Sequence, residues 1–103
     1  MKSFEGIVHQ LRLGQFDFSE HAFRRVVERN ISLDEIVEAA ENVRIIEYYP
    51  EDKYAASYLL LGFTHASRPI HIQVSTIDSD NVRIITIYEP DQKEWIDSSQ
   101  RKK

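Results

Sequence analysis

Apolar residues recur at helical spacing in the first part of the chain and at strand spacing in the second. Phe4, Ile7, Val8 and Leu11 follow the i, i+3, i+4, i+7 rule and predict a helix over 2–13, with Gly14 as its stop. Gln15 to Phe18 reads as a short connector. Ser19 then offers an N-cap, and Phe18 and Phe23 are placed to form a hydrophobic staple across it. Asn30, a residue type that tolerates the left-handed conformation, ends this second helix. Ala22, Phe23, Val26 and Val27 make its apolar stripe, and His21, Arg25 and Arg29 make a row beside that stripe. Ser32-Leu33-Asp34-Glu35 is a capping-box pattern that opens a third helix. Ile36, Val37, Ala39 and Ala40 form the buried side of that helix, and Asp34, Glu35, Glu38 and Glu41 its solvated side.

From residue 43 the period changes. Segments 43–49, 54–63, 69–77 and 82–89 are rich in Ile, Val, Leu and Tyr and are separated by turn-forming clusters at 50–53, 65–68 and 78–81. The expectation is an α+β domain spanning 1–103, with helices over about 2–41 packed on one face of a four-stranded antiparallel meander over about 43–89. The polar, basic tail 97–103 should fray. Symmetric turns would pair Ile77 with Val82, Ser75 with Ile84, Gln73 with Thr86 and His71 with Tyr88, all on one side of the sheet. Ile70, Ile72, Val74, Ile85 and Ile87 would then form the core face, joined by Leu59, Leu61 and Phe63. Tyr58, Leu60 and Gly62 would fall on the His71 side, with Gly62 opposite His71 and leaving room for something to approach the imidazole. A one-residue bulge would break this register.

Composition narrows the classes. At 103 residues and 42% hydrophobic content the chain suits one modest core. It has no apolar run of membrane-spanning length and no secretory signal pattern. The absence of cysteine removes disulfides and thiolate zinc sites, and fits a reducing cytoplasm. A net charge of −4 gives no global attraction to nucleic acid, although a local basic cleft is compatible with it.

Candidate chemistry is confined to a few side chains. His71 and Tyr88 would be an acid–base pair on an exposed face, with Thr86 and Gln73 beside them; the alternative is ordinary polar decoration of a half-exposed sheet. The His21, Arg25, Arg29 row suits a phosphate, and is equally a solvated helix face. Arg68 stands at a strand start, where it could fork onto a phosphate or simply face water. Trp95 reads as a lid on the core edge or a base-stacking platform. Glu89 and Asp91 could instead close the domain by pairing with the arginine row. His9, His21, His65 and His71 are too scattered for a metal site, no glycine-rich phosphate loop or nucleophile elbow is present, and no cofactor is expected.

Three blocks carry a resemblance. They are Phe18-Ser19-x-His21-Ala22-x-x-Arg25-x-x-x-Arg29-x-Ile31-Ser32, then Leu60-Leu61-Gly62 with Arg68-Pro69-Ile70-His71-Ile72, then Ile85-Thr86-Ile87-Tyr88-Glu89-Pro90-Asp91 with Trp95. Together, from about Phe18 to Trp95, they resemble a small bacterial and archaeal domain-of-unknown-function family grouped with RelE-like toxins in the barnase–EndoU–RelE ribonuclease superfamily. The resemblance implies a RelE-like fold and a toxin of a toxin–antitoxin pair: a metal-independent endoribonuclease in which the ribose 2′-hydroxyl attacks the adjacent phosphate of an RNA that could be ribosome-bound. His71 would be base or acid, with Tyr88 or His21 as counterpart; Arg25, Arg29 and Arg68 would hold the phosphate, and Thr86 would orient it. The implied partner is a small antitoxin of zinc-finger, helix-turn-helix type. A non-catalytic protein-binding module of the same fold is the alternative. Two departures stand out: Asn30 replaces the family's usual glycine, and the acidic balance is unusual for an enzyme acting on RNA.

Overall fold

A computed structural model describes residues 1–102. Its element order is α1 (Phe4–Arg12), β1 (Phe16–Phe18), α2 (Glu20–Glu28), α3 (Leu33–Ala40), β2 (Arg44–Tyr49), β3 (Ser57–Phe63), β4 (Pro69–Ser75), β5 (Val82–Tyr88), β6 (Trp95–Ile96) and β7 (Gln100–Arg101). Each helix starts where a serine caps it. The hydroxyl of Ser3 accepts from the Gly6 N–H at 3.1 Å and that of Ser19 from Ala22 at 3.0 Å, while Ser32 and Glu35 form the full capping box. Gly14 (φ 74°) and Asn30 (φ 53°) end α1 and α2 in the left-handed region.

The fold is α+β, but the sheet has five strands in the order β1-β5-β4-β3-β2. The four expected strands are neighbours in chain order, all antiparallel, and the supposed connector Phe16–Phe18 joins β5 in parallel as an added edge. Three residues are too few to display a strand period, which is why β1 is not visible in the pattern. Ser19 anchors the start of α2: its N–H donates to the Ile84 carbonyl at 2.9 Å and its hydroxyl to that of Ile85 at 2.7 Å. One residue therefore ends β1, caps α2 and ties the helix start to β5.

Two irregularities redistribute the side chains between the faces. The β3–β4 connection pairs Phe63 with Pro69 and spans the odd stretch 64–68, with Ser67 at φ 66°. This offset puts Tyr58, Leu60 and Gly62 on the helix face, and Leu59 and Leu61 on the His71 face, the reverse of the expectation. Gly62 lies opposite Ile70, not His71, and a Cβ there would stand 2.4 Å from the Ala39 carbonyl oxygen. Its bare backbone serves the approach of α3 rather than access to the imidazole. Between β4 and β5 the expected pairs His71–Tyr88 and Gln73–Thr86 are present, but Val74 then pairs with Ile84, so Ile85 is bulged out. The bulge sends Val82 and Ile84 into the core and moves Ile85 to the other face.

The core lies between the helices and one sheet face: Ile7, Leu11, Ala22, Ile36, Ala39 and Ala40 pack on Leu60, Ile70, Ile72, Val74, Val82, Ile84 and Ile87. Only part of the α2 stripe joins it. Ala22 is buried and Val26 half-buried, whereas Phe23 (57% exposed) and Val27 (65%) face water, so Phe23 does not serve as the buried half of a staple. The acidic side of α3 is not merely solvated. Glu35 pairs with Arg68, and Glu38 and Glu41 hold the backbone N–H and ring of His65. The tail does not fray either: β6 and β7 form a hairpin over the second sheet face, turning through Asp97 (φ 51°) and Ser98 (φ 63°). Lys103, the last residue of the expected tail, lies outside the described residues.

Candidate functional site

The second face of the sheet is where the chemistry-bearing residues gather, and the hairpin decides their exposure. Trp95 (2% exposed) stands edge-on to His71, with ring centroids 4.5 Å apart. The Arg101 guanidinium lies over the outer face of Trp95 at 4.7 Å and forks onto the Glu47 carboxylate at 2.9 and 3.2 Å. The hydroxyl of Tyr49 also donates to Glu47. His71 is consequently 0% exposed, which corrects the expectation of a solvent-facing imidazole, while Trp95 takes the lid position, one of the two roles its sequence context allows.

Hydrogen bonding assigns the tautomer of His71. Its Nε2 is 2.6 Å from the Ser98 carbonyl oxygen, an acceptor, so Nε2 carries the proton. Nδ1 then accepts from the Tyr88 hydroxyl at 3.2 Å. Burial pushes the His71 pKa below its ordinary value, against the opposing pull of the Ser98 carbonyl and the Glu47 carboxylate. Burial raises Tyr88 to about 12, with Tyr49 adding to the effect. Near neutral pH the pair is an uncharged imidazole and an uncharged phenol. Glu47 shows the opposite balance: burial alone would raise its carboxyl, but hydrogen bonds from Arg101 and Tyr49 bring it below the usual range.

Tyr88 connects this buried pair to an open cleft of about 560 Å³. His21 and Arg25 line the cleft from α2 and Arg29 from the residue that caps it, Thr86 and Tyr88 from β5, Trp95 and Arg101 from the hairpin, and the acidic Glu89, Asp91 and Glu94 from the segment between. The helix row and the sheet residues thus meet, because Ser19 pins α2 alongside β5. Arg25 has one ion pair, to Glu28 on its own helix at 4.0 Å, and among the described residues the Arg29 side chain has none. The expected pairing of this row with Glu89 and Asp91 is absent: Glu89 binds Arg68 at 2.7 Å, and Asp91 accepts from the Lys93 N–H at 2.8 Å.

Arg68 does not join the cleft. It donates to Glu89, to Glu35 at 3.1 Å, and to the carbonyls of Arg29 (2.9 Å) and Asn30 (3.2 Å). Its charge is spent on fastening the C-terminal end of α2 to α3 and β5, so it leaves the phosphate-binding set for a structural one. The residues missed from the sequence are Arg101, Glu47 and Ser98. The only signal was the turn-forming run Asp97-Ser98-Ser99 after Trp95, which would let the tail double back. Among the described residues no group of His, Asp and Glu gathers as ligands for a metal ion, and no helix is long and apolar enough to cross a membrane.

The family described as a domain of unknown function, DUF4258, matches residues 18–89, most of the chain. The chain belongs to the DUF4258 family. Comparison with curated proteins and with solved structures finds no match. The DUF4258 match takes in His21, Arg25, Arg29, Arg68, His71, Thr86 and Tyr88, and it stops short of the hairpin that covers His71. In this DUF4258 chain the floor and one wall of the cleft come from the matched residues, and the Trp95–Arg101 wall from beyond them.

Proposed function

We propose that the cleft binds an RNA phosphodiester and cleaves it by attack of the ribose 2′-hydroxyl, as a toxin-like endoribonuclease. The observation that carries this reading is the convergence of the His21, Arg25, Arg29 row with Thr86 and Tyr88 on one cavity. Three arginines, a hydroxyl and two proton carriers then surround the same space, with Glu89 already paired to Arg68 and Asp91 and Glu94 also on its lining. Because His71 is covered, it would act through Tyr88. As the 2′-oxygen bonds to phosphorus, its proton passes to the Tyr88 oxygen and the phenolic proton to His71 Nδ1. The resulting imidazolium is held by the Ser98 carbonyl and faces Glu47. The bond from phosphorus to the 5′-oxygen breaks, and exposed His21, when protonated, supplies that oxygen with its proton. The products are a 2′,3′-cyclic phosphate and a 5′-hydroxyl. Arg25, Arg29 and Arg101 would offset charge on the phosphorane, with Thr86 donating to a non-bridging oxygen.

Purified protein incubated with single-stranded RNA, with and without ribosomes, should generate cyclic-phosphate ends. Tyr88→Phe, which keeps the ring and removes the relay oxygen, should slow cleavage about 10²–10⁴-fold. A wild-type protein inert on RNA even with ribosomes present sinks the proposal. A resemblance to RelE-like toxins supports the same reading and suggests a small zinc-finger, helix-turn-helix antitoxin as partner and the cytoplasm as location. Two observations favour a second reading, a non-catalytic protein-binding module: His71 is fully covered, and Glu89, Asp91 and Glu94 line the cleft among the basic groups. On that reading Tyr88→Phe weakens a protein complex and has no effect on RNA.

A further inference from the structure

A second cavity, also about 560 Å³, lies on the other side of the same wall: Tyr88 and Arg101 line both spaces. Its remaining lining includes Tyr49, Asp52, Leu59 and Gln73. The chemistry of the two spaces differs. Both carry carboxylates, but in the first Glu89, Asp91 and Glu94 are met by Arg25, Arg29 and Arg101, whereas in the second Glu51 and Asp52 stand with Arg101 alone, a balance that disfavours a phosphate. What it offers is an aromatic wall and fixed hydrogen-bonding groups. The Tyr49 hydroxyl is tied to Glu47, which also holds Arg101, so one carboxylate fixes a wall of each cavity. Gln73 is fixed as well. Its Nε2 donates to Asp52 Oδ2 and Ser57 Oγ, both at 3.1 Å, which leaves its Oε1 as an acceptor with no protein partner among the described residues. Ser57 (2.7 Å) and the Lys53 N–H (2.8 Å) also donate to Asp52 and hold its carboxyl below the usual range.

We propose that this second cavity is a nucleobase subsite. It takes an unpaired base next to the phosphodiester in the arginine cleft, flat against Tyr49, with an exocyclic amino group donating to Gln73 Oε1. The inference rests on the RNA reading of the cleft and adds to it: the substrate is single-stranded at this position and its base is read. Stacking accepts any base, because each has a π-face. The acceptors discriminate. Adenine and cytosine present an amino donor to the Gln73 oxygen and the Asp52 carboxylate, whereas uracil would turn a carbonyl toward them.

The test uses labelled 2′-O-methyl pentanucleotides, which carry the phosphate charge but have no free 2′-hydroxyl to attack. Three probes of equal charge differ at the central position: adenine, uracil or an abasic sugar. Fluorescence anisotropy with wild-type protein should place adenine above uracil, and bind adenine roughly tenfold or more tighter than the abasic probe. Gln73→Leu should erase the preference for adenine over uracil, and Arg29→Ala should weaken all three probes alike. Equal affinity for adenine and abasic probes, with both still weakened by Arg29→Ala, overturns the base subsite and leaves the phosphate cleft standing. A base preference untouched by Gln73→Leu places the reading elsewhere and also overturns the subsite. Failure to bind any probe overturns the subsite, while the cleavage assay with ribosomes present decides the RNA reading separately. The wild-type comparison decides the question even if a variant fails to fold.

Discussion

The two faces of the sheet are both buried, but by different means. One is closed by three helices chiefly through apolar contact, Leu60, Ile70, Ile72 and Val74 against Ile7, Leu11, Ile36 and Ala39, with Ser19 and Arg68 adding polar ties at the helix ends. The other is closed at one end by a hairpin with two residues in each strand, held by directional contacts: His71 to the Ser98 carbonyl, Arg101 to Glu47, and Arg101 over Trp95. A hydrophobic interface of the first kind is cooperative with the whole fold. A small polar interface of the second kind can open by itself while the rest stays folded. The helix face therefore builds the domain, and the hairpin face controls whether His71 meets water.

The largest expected effect tests the first half of this contrast. Leu60→Ala empties a fully buried position under the helices and should cost about 2–5 kcal/mol, read as a lower urea midpoint and a lower Tm. Amide exchange should accelerate across β3, β4 and β5 together, because the loss is global. Faster exchange confined to β3 would show that the helix face is not one cooperative unit.

Trp95→Ala should cost less, although tryptophan is the larger side chain. Once the hairpin detaches, its substitution can cost no more than the free energy that docked it. The expected outcome is a modest fall in Tm, rapid exchange limited to 95–101, and a His71 pKa that returns toward its ordinary value as water reaches the ring. A Tm loss equal to that of Leu60→Ala would mean that the hairpin is part of the global fold, and the contrast between the faces would fail.

The same difference explains what could be read from the chain. Helices were legible because serine caps and helical periods are local signals, and α1, α2 and α3 start where Ser3, Ser19 and Ser32 stand. Strand positions were legible as well, and so were the faces of β4 and the end of β5, with Ile70, Ile72, Val74 and Ile87 in the core, but those of β3 and the start of β5 were not. Leu59, Leu60 and Leu61 are apolar without alternation because both faces are covered there, so the run holds no register information. The odd connection at 64–68 and the bulge at Ile85 then decided the faces, and neither leaves a mark in the hydrophobic pattern. The pairing of His71 with Tyr88 and the helix row were found from spacing. Arg68 was misassigned because a strand-start arginine looks the same whether it meets a phosphate or, as here, two carboxylates and the carbonyls of Arg29 and Asn30. Arg101 was missed because a cation–π contact with Trp95 depends on a turn through two residues of positive φ, which Asp97 and Ser98 adopt without a glycine to announce it.

The smallest expected effect is a pH slope that belongs to the hairpin face alone. The pKa of His71 lies below its ordinary value of 6.5 in the folded chain, chiefly through burial, with Glu47 and Arg101 acting in opposite directions on it. As pH falls through that ordinary value the unfolded chain takes up a proton that the folded chain refuses, so the unfolded state binds more protons and stability falls. His65 works in the other sense. Its bond to Glu41 and the nearby Glu38 raise its pKa, so its contribution is complete at low pH and fades as pH rises. A single wild-type titration mixes the two. Urea midpoints at pH 7.5 and about 5.5, above the main carboxylate range, should show a loss on acidification that is smaller in His71→Gln. Trp95→Ala should shrink the loss to a similar degree, because a ring already open to water gains little from unfolding. If the slope survives in both variants it comes from groups outside the hairpin face, and closure of the lid is then not what keeps His71 neutral.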